Sequence, residues 1–355
     1  MRRFGFGFAL ALTVVLVMSV ANTTGCYTHS DEDLEVLNTP RVEVFYNSPG
    51  TRRGNDQNRL PAEFISERID AAKVSVDAAV YGFNHQLIIE ALVRAHYRGV
   101  KVRIVGDAGE YARGSRGYGA MEDNRIPMQL GNQFHIMHDK FFILDGRFVF
   151  VGTGNISHSE FERNNNNWLF LNSPPLANTF TAEFQQMFDG RFSAAKNPTT
   201  LPNSFQIGDT LVELFFSPQD DAMGKILEEL ANVHTSIHFT IFAFTKDQVA
   251  SRFVEKQRAF ETWNRNNGFA DASLMDLDSG AKRVVGVLDR SQLHGNGQYH
   301  QGYRLLANSI PMRLDGNENS RLPGDYQAGG GRLHAKTMLL DAGTPDARVI
   351  TGSFN

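Results

Sequence analysis

One pattern occurs twice in this chain and restricts what it can fold into. His138, Lys140 and Asp145 stand in the spacing H-x-K-x4-D, and Gly152-Thr153-Gly154-Asn155 follows. Towards the far end His334, Lys336 and Asp341 repeat that spacing, and Gly352-Ser353-Phe354-Asn355 repeats the G-S/T-x-N tail. The duplication reaches beyond the motif. Residues 42–49 (VEVFYNSP) match residues 212–218 (VELFFSP), and residues 74–83 (VSVDAAVYGF) match residues 235–244 (TSIHFTIFAF). VKVRIVGD ends at Asp107 as KRVVGVLD ends at Asp289, and Ile126-Pro127-Met128 recurs as Ile310-Pro311-Met312. Helical spacing follows the first strand of each copy, at Phe64, Ile65, Ile69 and at Ile226, Leu227, Leu230. Strands alternating with helices, twice over, predict two homologous α/β lobes. Each is a mixed or parallel sheet flanked by helices, and the site lies between them.

Within each motif the apolar, β-favouring runs, FFIL and FVFV in the first copy, predict buried strands. Residues two apart on a strand share a face, so His138 and Lys140 project into one pocket, as do His334 and Lys336. The GTGN turn ends the next strand. Its glycines let backbone N–H groups approach a ligand, and Asn155 adds an amide donor. One copy is half of an anion clamp; two copies close it around a single phosphodiester.

With this set of residues the chain resembles the phospholipase D superfamily over residues 42–355. The resemblance implies a reaction without metal or cofactor, through a phospho-histidine. A neutral imidazole is a fair nucleophile near neutral pH and an imidazolium a fair acid, so two histidines can divide the work. His138 is expected to attack phosphorus. His334 is expected to protonate the leaving oxygen and then activate water or an alcohol. Lys140 and Lys336 hold the non-bridging oxygens, and Asn155 and Asn355 donate from the turns. Asp145 and Asp341 support the motif, and Gly152, Thr153, Gly352 and Ser353 shape the turns. The chain has no H-E-x-x-H, no paired cysteines and no cluster of carboxylates along the sequence, so no metal is expected. Two departures stand out. Thr153 replaces the usual Ser and keeps its hydroxyl. Asn166 occupies the place where many members carry a Glu that orients a catalytic His. An Asn can accept the same imidazole N–H bond but gives an imidazolium less charge support; whether a carboxylate from elsewhere takes that place, and which, the sequence leaves open.

Residues 1–26 read as an export signal outside the fold: Met1-Arg2-Arg3, an apolar run, then Thr23-Thr24-Gly25-Cys26. Cys26 is the only cysteine in the chain. Its place after a small residue resembles a bacterial lipoprotein signal, with Cys26 as the lipidated terminus and residues 27–41 as a polar tether. The first lobe then covers residues 42–196, a Pro-rich linker residues 197–204, and the second lobe residues 205–355. The second lobe ends at Asn355 without counterparts of the strand at Trp168 and the helix at residues 182–188. It therefore reads as truncated, with an unpaired strand edge.

Charge is near balance, with 35 basic and 39 acidic residues and a net of −4. No broad basic field favours nucleic acid. The expected activity is that of a phospholipase D, releasing phospholipid head groups at a membrane surface from a lipid-anchored position in the bacterial cell envelope, the outer membrane rather than the inner. The alternatives are an endonuclease, a phosphatidyltransferase of cardiolipin-synthase type, and a non-catalytic binding module. Both half-sites lie in one chain, so a monomer suffices. Loops at residues 108–124 (with Tyr111 and Tyr118) and 248–282, and the segment with His294, His300 and Tyr303, are expected to ring the cleft. His135 faces away from His138, and His158 and Ser159 receive no role.

Overall fold

The computed structural model of this chain describes residues 13–19, 39–47, 60–295, 297–316 and 331–353. The first lobe is built on seven strands: β2 (Arg41–Tyr46), β3 (Ser75–Val80), β4 (Lys101–Gly106), β5 (Met128–Leu130), β6 (Lys140–Leu144), β7 (Phe148–Gly152) and β8 (Asn167–Asn172). Their spatial order is β2-β8-β7-β6-β3-β4-β5. The runs at β6 and β8 are buried at every position, which is why they are apolar without alternation and lie inside the sheet. β3, β4 and β5 are parallel; β6, β7, β8 and β2 pair antiparallel. One face is covered by α1 (Leu60–Ala71) and α2 (Gln86–Tyr97). In α2, Ile88, Ile89, Ala91, Leu92 and Ala95 are buried at helical spacing.

The second lobe repeats this plan. Its strands are β9 (Ser204–Ile207), β10 (Thr210–Ser217), β11 (Ser236–Ile241), β12 (Arg283–Leu288), β13 (Met312–Leu314), β14 (Lys336–Leu340) and β15 (Arg348–Gly352). An eighth strand, β1 (Thr13–Ser19), comes from the other end of the chain. The order is β9-β10-β1-β15-β14-β11-β12-β13. β11 to β13 are parallel, and the remaining pairs are antiparallel. Helices α7 (Ala222–Ala231) and α8 (Asp247–Asn266) cover its outer face.

β1 corrects two expectations. Part of residues 1–26 lies within the fold, and no edge opens between β10 and β15. β1 stands between those strands, antiparallel to both, as β8 stands between β2 and β7. The physical reason is that β10 and β15 would otherwise each present a row of unpaired backbone groups, and the apolar segment TVVLVMS supplies a matching ladder. Residues 20–38, including Cys26, lie outside the described residues.

The two sheets meet through a shared core. Phe141, Ile143, Val149, Val151, Leu169 and Leu171 pack with Val212, Leu214 and Phe216 across the lobe boundary. Helix α6 (Pro174–Phe188) joins this core through Phe180, Phe184 and Met187 and leads into the linker. The linker is tied down: Thr179 Oγ1 donates to Pro202 O (3.0 Å), and the Thr199 amide donates to Asp220 Oδ1 (3.0 Å).

The predicted cleft loops differ from expectation. Residues 108–124 form two short helices, α3 (Ala108–Ala112) and α4 (Arg116–Asp123). Tyr118 is fully buried there, and its hydroxyl donates to the carbonyls of Val80 (2.6 Å) and Tyr81 (2.7 Å). Most of the 248–282 segment is α8, whose Val249, Phe253 and Phe260 are core residues. His300 is buried, and its ring nitrogens lie 3.4 Å from the Phe244 amide and 3.1 Å from the Gly302 amide, so it braces a turn. A glycine-rich or aromatic stretch looks like a loop when its partners lie elsewhere in the chain. Tyr111 stays half-exposed, and Tyr303 sits at 3.5 Å from His294 at the surface.

Candidate active site

Each motif is held by two aspartates that accept hydrogen bonds from backbone amides. Asp145 and Asp341 adopt left-handed backbone conformations (φ 52° and 51°) at the turns after β6 and β14. Asp145 accepts from the amides of Lys73, Val74 and Ser75; Asp341 accepts from those of His234, Thr235 and Ser236. Asp107 and Asp289, at the ends of β4 and β12, fix the other side. Asp107 Oδ2 accepts from the Met137 amide (2.9 Å) and Asp289 Oδ2 from the Leu333 amide (3.1 Å), each one residue before a motif histidine.

Between these clamps the histidines and lysines come together. His138 and His334 sit just before β6 and β14, not within them. All four side chains are buried, Lys140 to 1% exposure. Lys140 Nζ donates to the His138 carbonyl, and Lys336 Nζ donates to the His334 carbonyl (2.7 Å). Tyr81 packs on His138 with ring centroids 5.1 Å apart, and Phe242 packs on His334 at 4.5 Å. The same aromatics lie under the ammonium groups of Lys140 (5.3 Å) and Lys336 (5.0 Å). Tyr81 and Phe242 are matching positions of the repeat, a pairing that the duplicated strands made available but that sequence reading did not use.

Burial and mutual repulsion set the charges. The Lys140 ammonium is pushed well below its ordinary range by burial and then by Lys336. Lys336 falls to about 7, through burial against the opposing pull of Glu160 and Asp289. His138 is driven well below its usual value by burial, Lys140, Lys336 and His334 in that order. Its Nδ1 has no hydrogen-bond partner among the described residues. A buried cluster of two ammonium and two imidazole groups is a receptor for an anion, which restores the charged form of the lysines.

His334 differs from His138 in one respect. Glu160 Oε2 lies 3.1 Å from His334 Nδ1. Burial would raise the Glu160 carboxyl, but His334, Asn164 and Lys336 hold it down at about 2. Burial lowers His334, and Glu160 works against that shift. Glu160 is carried by α5 (His158–Glu162), directly after the GTGN turn. Its other bonds come from Asn166 Nδ2 (2.7 Å) and Asn155 Nδ2 (3.1 Å). This carboxylate stands where the sequence, with Asn166 at the usual Glu position, left the partner of a catalytic histidine open.

The four asparagines 164–167 form the seam between lobes. Asn164 Oδ1 accepts from the Arg332 amide (2.8 Å). The Asn165 amide donates to Arg332 O (2.8 Å), and its carbonyl accepts from the His334 amide (3.0 Å). Asn166 Oδ1 lies 3.3 Å from His334 Nδ1. Asn167 Nδ2 donates to Thr351 Oγ1 (2.8 Å). Thr153 Oγ1 donates to Asn166 Oδ1 (2.8 Å), so the turn hydroxyl serves the seam. The turn glycines are required for packing. A Cβ on Gly152 would stand 2.3 Å from the Trp168 ring, and one on Gly154 would stand 2.7 Å from it. Ser353 is buried beside Gly352, and a hydrogen bond with its backbone acts on His138. Asn355 lies outside the described residues.

The family model described as "Cardiolipin synthase, PLD-like domain" matches residues 65–188. A phospholipase D of Rickettsia conorii is 30% identical over 118 residues, 33% of this chain and 59% of that protein. A mitochondrial cardiolipin hydrolase of Drosophila melanogaster is 30% identical over 146 residues, 35% of this chain and 57% of that protein. This chain thus spans under two thirds of the length of the curated relatives it matches. A crystal structure of a phospholipase D family member, Nuc from Salmonella typhimurium, is 30% identical, covers 42% of this chain and 95% of that one, and has a TM-score of 0.37. The chain belongs to the phospholipase D superfamily.

Proposed function

We propose that this protein is a phosphodiesterase of phospholipase D type, acting on phospholipid head groups through a phospho-histidine. The unequal setting of the two histidines carries the reading. His138 is buried and lies beside Lys140 and Lys336, so it stays neutral and holds a lone pair for attack. His334 has Glu160 at its back, so it can carry the proton that a leaving group needs. In the first step a His138 ring nitrogen bonds to phosphorus, the ester P–O bond breaks, and the departing oxygen takes a proton from His334. In the second, neutral His334 takes a proton from water, the water oxygen bonds to phosphorus, and the P–N bond breaks. Lys140 and Lys336 hold the non-bridging oxygens throughout. The relatives named for phospholipase D and cardiolipin hydrolase activities support a lipid substrate.

We extend the reading to place: the enzyme works at the cell envelope beside its lipid substrate, with Thr13–Ser19 retained in the fold as β1. The test is head-group release from phosphatidylcholine, phosphatidylethanolamine and phosphatidylglycerol vesicles, with plasmid DNA in parallel and His138→Ala as control. Lipid turnover lost in the variant supports the proposal. Cut DNA with intact lipid overturns it in favour of a nuclease. Transfer to added glycerol in place of hydrolysis marks a phosphatidyltransferase.

A further inference from the structure

We propose that His85, His158 and Glu162 form a binding site for a divalent cation of zinc type on the reverse side of the helix that carries Glu160. One ligand atom from each of the three lies within 4.8 Å of the other two. His158 Nδ1 is 3.1 Å from Glu162 Oε1, a spacing that two ligands of one zinc ion share. The His85 and His158 rings stand 4.5 Å apart at 30°.

The local fold explains how they meet. His158 and Glu162 are four residues apart on α5 and share one face. Glu160, two from each, points the opposite way to His334. His85 comes from the segment before α2, and its backbone is locked to the same region. The amides of Asn84 (2.8 Å) and His85 (3.1 Å) both donate to Ile156 O. Phe83 and Ile156 also form a β-bridge. The three positions are therefore preorganised by contacts that do not involve their side chains.

The second observation is at His85 itself. The residue is 2% exposed, and its Nδ1 has no hydrogen-bond partner among the described residues. It precedes α2 yet makes no side-chain capping bond. A buried imidazole nitrogen without a partner is costly, and a cation supplies one. Two imidazole nitrogens and one carboxylate oxygen suit zinc, cobalt or nickel better than magnesium or calcium, which prefer oxygen alone. His158 and Glu162 are partly exposed, which leaves an entry path and room for water on the metal. A bound ion ties α5 to the Phe83–His85 backbone and so steadies the element that presents Glu160. No linear motif announces the site, because its members are brought together only by the sheet.

The experiment uses the full chain, stripped with chelator and dialysed, then titrated with zinc chloride by calorimetry, with bound metal counted by mass spectrometry. His158→Ala removes an exposed ligand and leaves the fold intact, which an unchanged Tm in chelator verifies. His334→Ala runs beside it, because the catalytic histidines are a second place where zinc can bind. We expect His158→Ala to lose one zinc per chain relative to the parent and His334→Ala to keep it. Glu162→Gln should weaken that site by about 10–100-fold. Zinc should raise the Tm of the parent and not of His158→Ala. Equal zinc content and affinity in the parent and His158→Ala, or no zinc bound by the parent, overturns the proposal.

Discussion

Glu160 from the first lobe and His334 from the second stand 3.1 Å apart, carboxylate oxygen to imidazole Nδ1. Removing that charge should cost catalysis without removing a catalytic atom. Glu160→Gln is expected to lower kcat by about 100-fold or more, in the range of a general acid that has lost its support. The imidazolium of His334 becomes harder to form, so the alkaline limb of the kcat profile should move to lower pH. Adding Asn166→Glu to Glu160→Gln puts a carboxylate where Asn166 Oδ1 now lies, 3.3 Å from the same nitrogen, and should restore part of the rate. An unchanged pH profile in Glu160→Gln would show that the contact is structural only.

The same carboxylate sets an acid limit on stability. Its folded value of about 2 lies below the ordinary 4.5, so its contribution is present above pH 4.5 and is lost as pH falls towards 2. The difference amounts to on the order of 3 kcal/mol. Glu160→Gln should flatten the loss of Tm across that window relative to the parent.

The lysines predict proton uptake on anion binding. Lys336 titrates near 7 in the folded chain against 10.5 for a free side chain. Its ammonium is thus partly discharged at neutral pH, and a phosphate analogue such as vanadate should recharge it. Calorimetric binding heats near pH 8 should vary with the ionisation enthalpy of the buffer, and this variation should shrink in Lys336→Met, with Lys140 supplying what remains. Saturation at about 100 times Kd should stabilise the parent by ~2.7 kcal/mol and raise its Tm.

His138→Ala should abolish turnover. His334→Asn should instead slow both steps while leaving the attacking nitrogen in place. Acid-free quenching of His334→Asn with substrate, followed by mass spectrometry, should show phosphoryl adduct on His138. An adduct on any other residue would reassign the nucleophile.

Asp145 should matter for folding and not for chemistry. It accepts from three successive backbone amides while in a left-handed conformation. Asp145→Ala is expected to cost about 3 kcal/mol, with kcat per folded molecule unchanged.

The repeat made the two lobes and the His/Lys pairs readable, because the same short patterns recur in both halves of the chain. Glu160 was not readable, because its partner belongs to the other lobe. The usable signal was indirect: Asn166 occupied the expected acidic position, and Glu160 and Glu162 were the nearest carboxylates on the preceding turn. Tyr118 and His300 misled for the complementary reason, since tertiary hydrogen bonds buried them where local composition suggested a surface loop. β1 was missed because an apolar β-branched run fits an export signal and a sheet strand equally well.

The asparagine seam has a temporal consequence. A chain emerging from the ribosome exposes His138, Lys140 and Glu160 long before His334 exists. The nascent first half has a nucleophile and an acceptor for charge but no proton donor for the departing group. The two-histidine arrangement is therefore complete only when residues 331–335 have been made and dock on residues 164–167, so the first lobe alone holds half of the site.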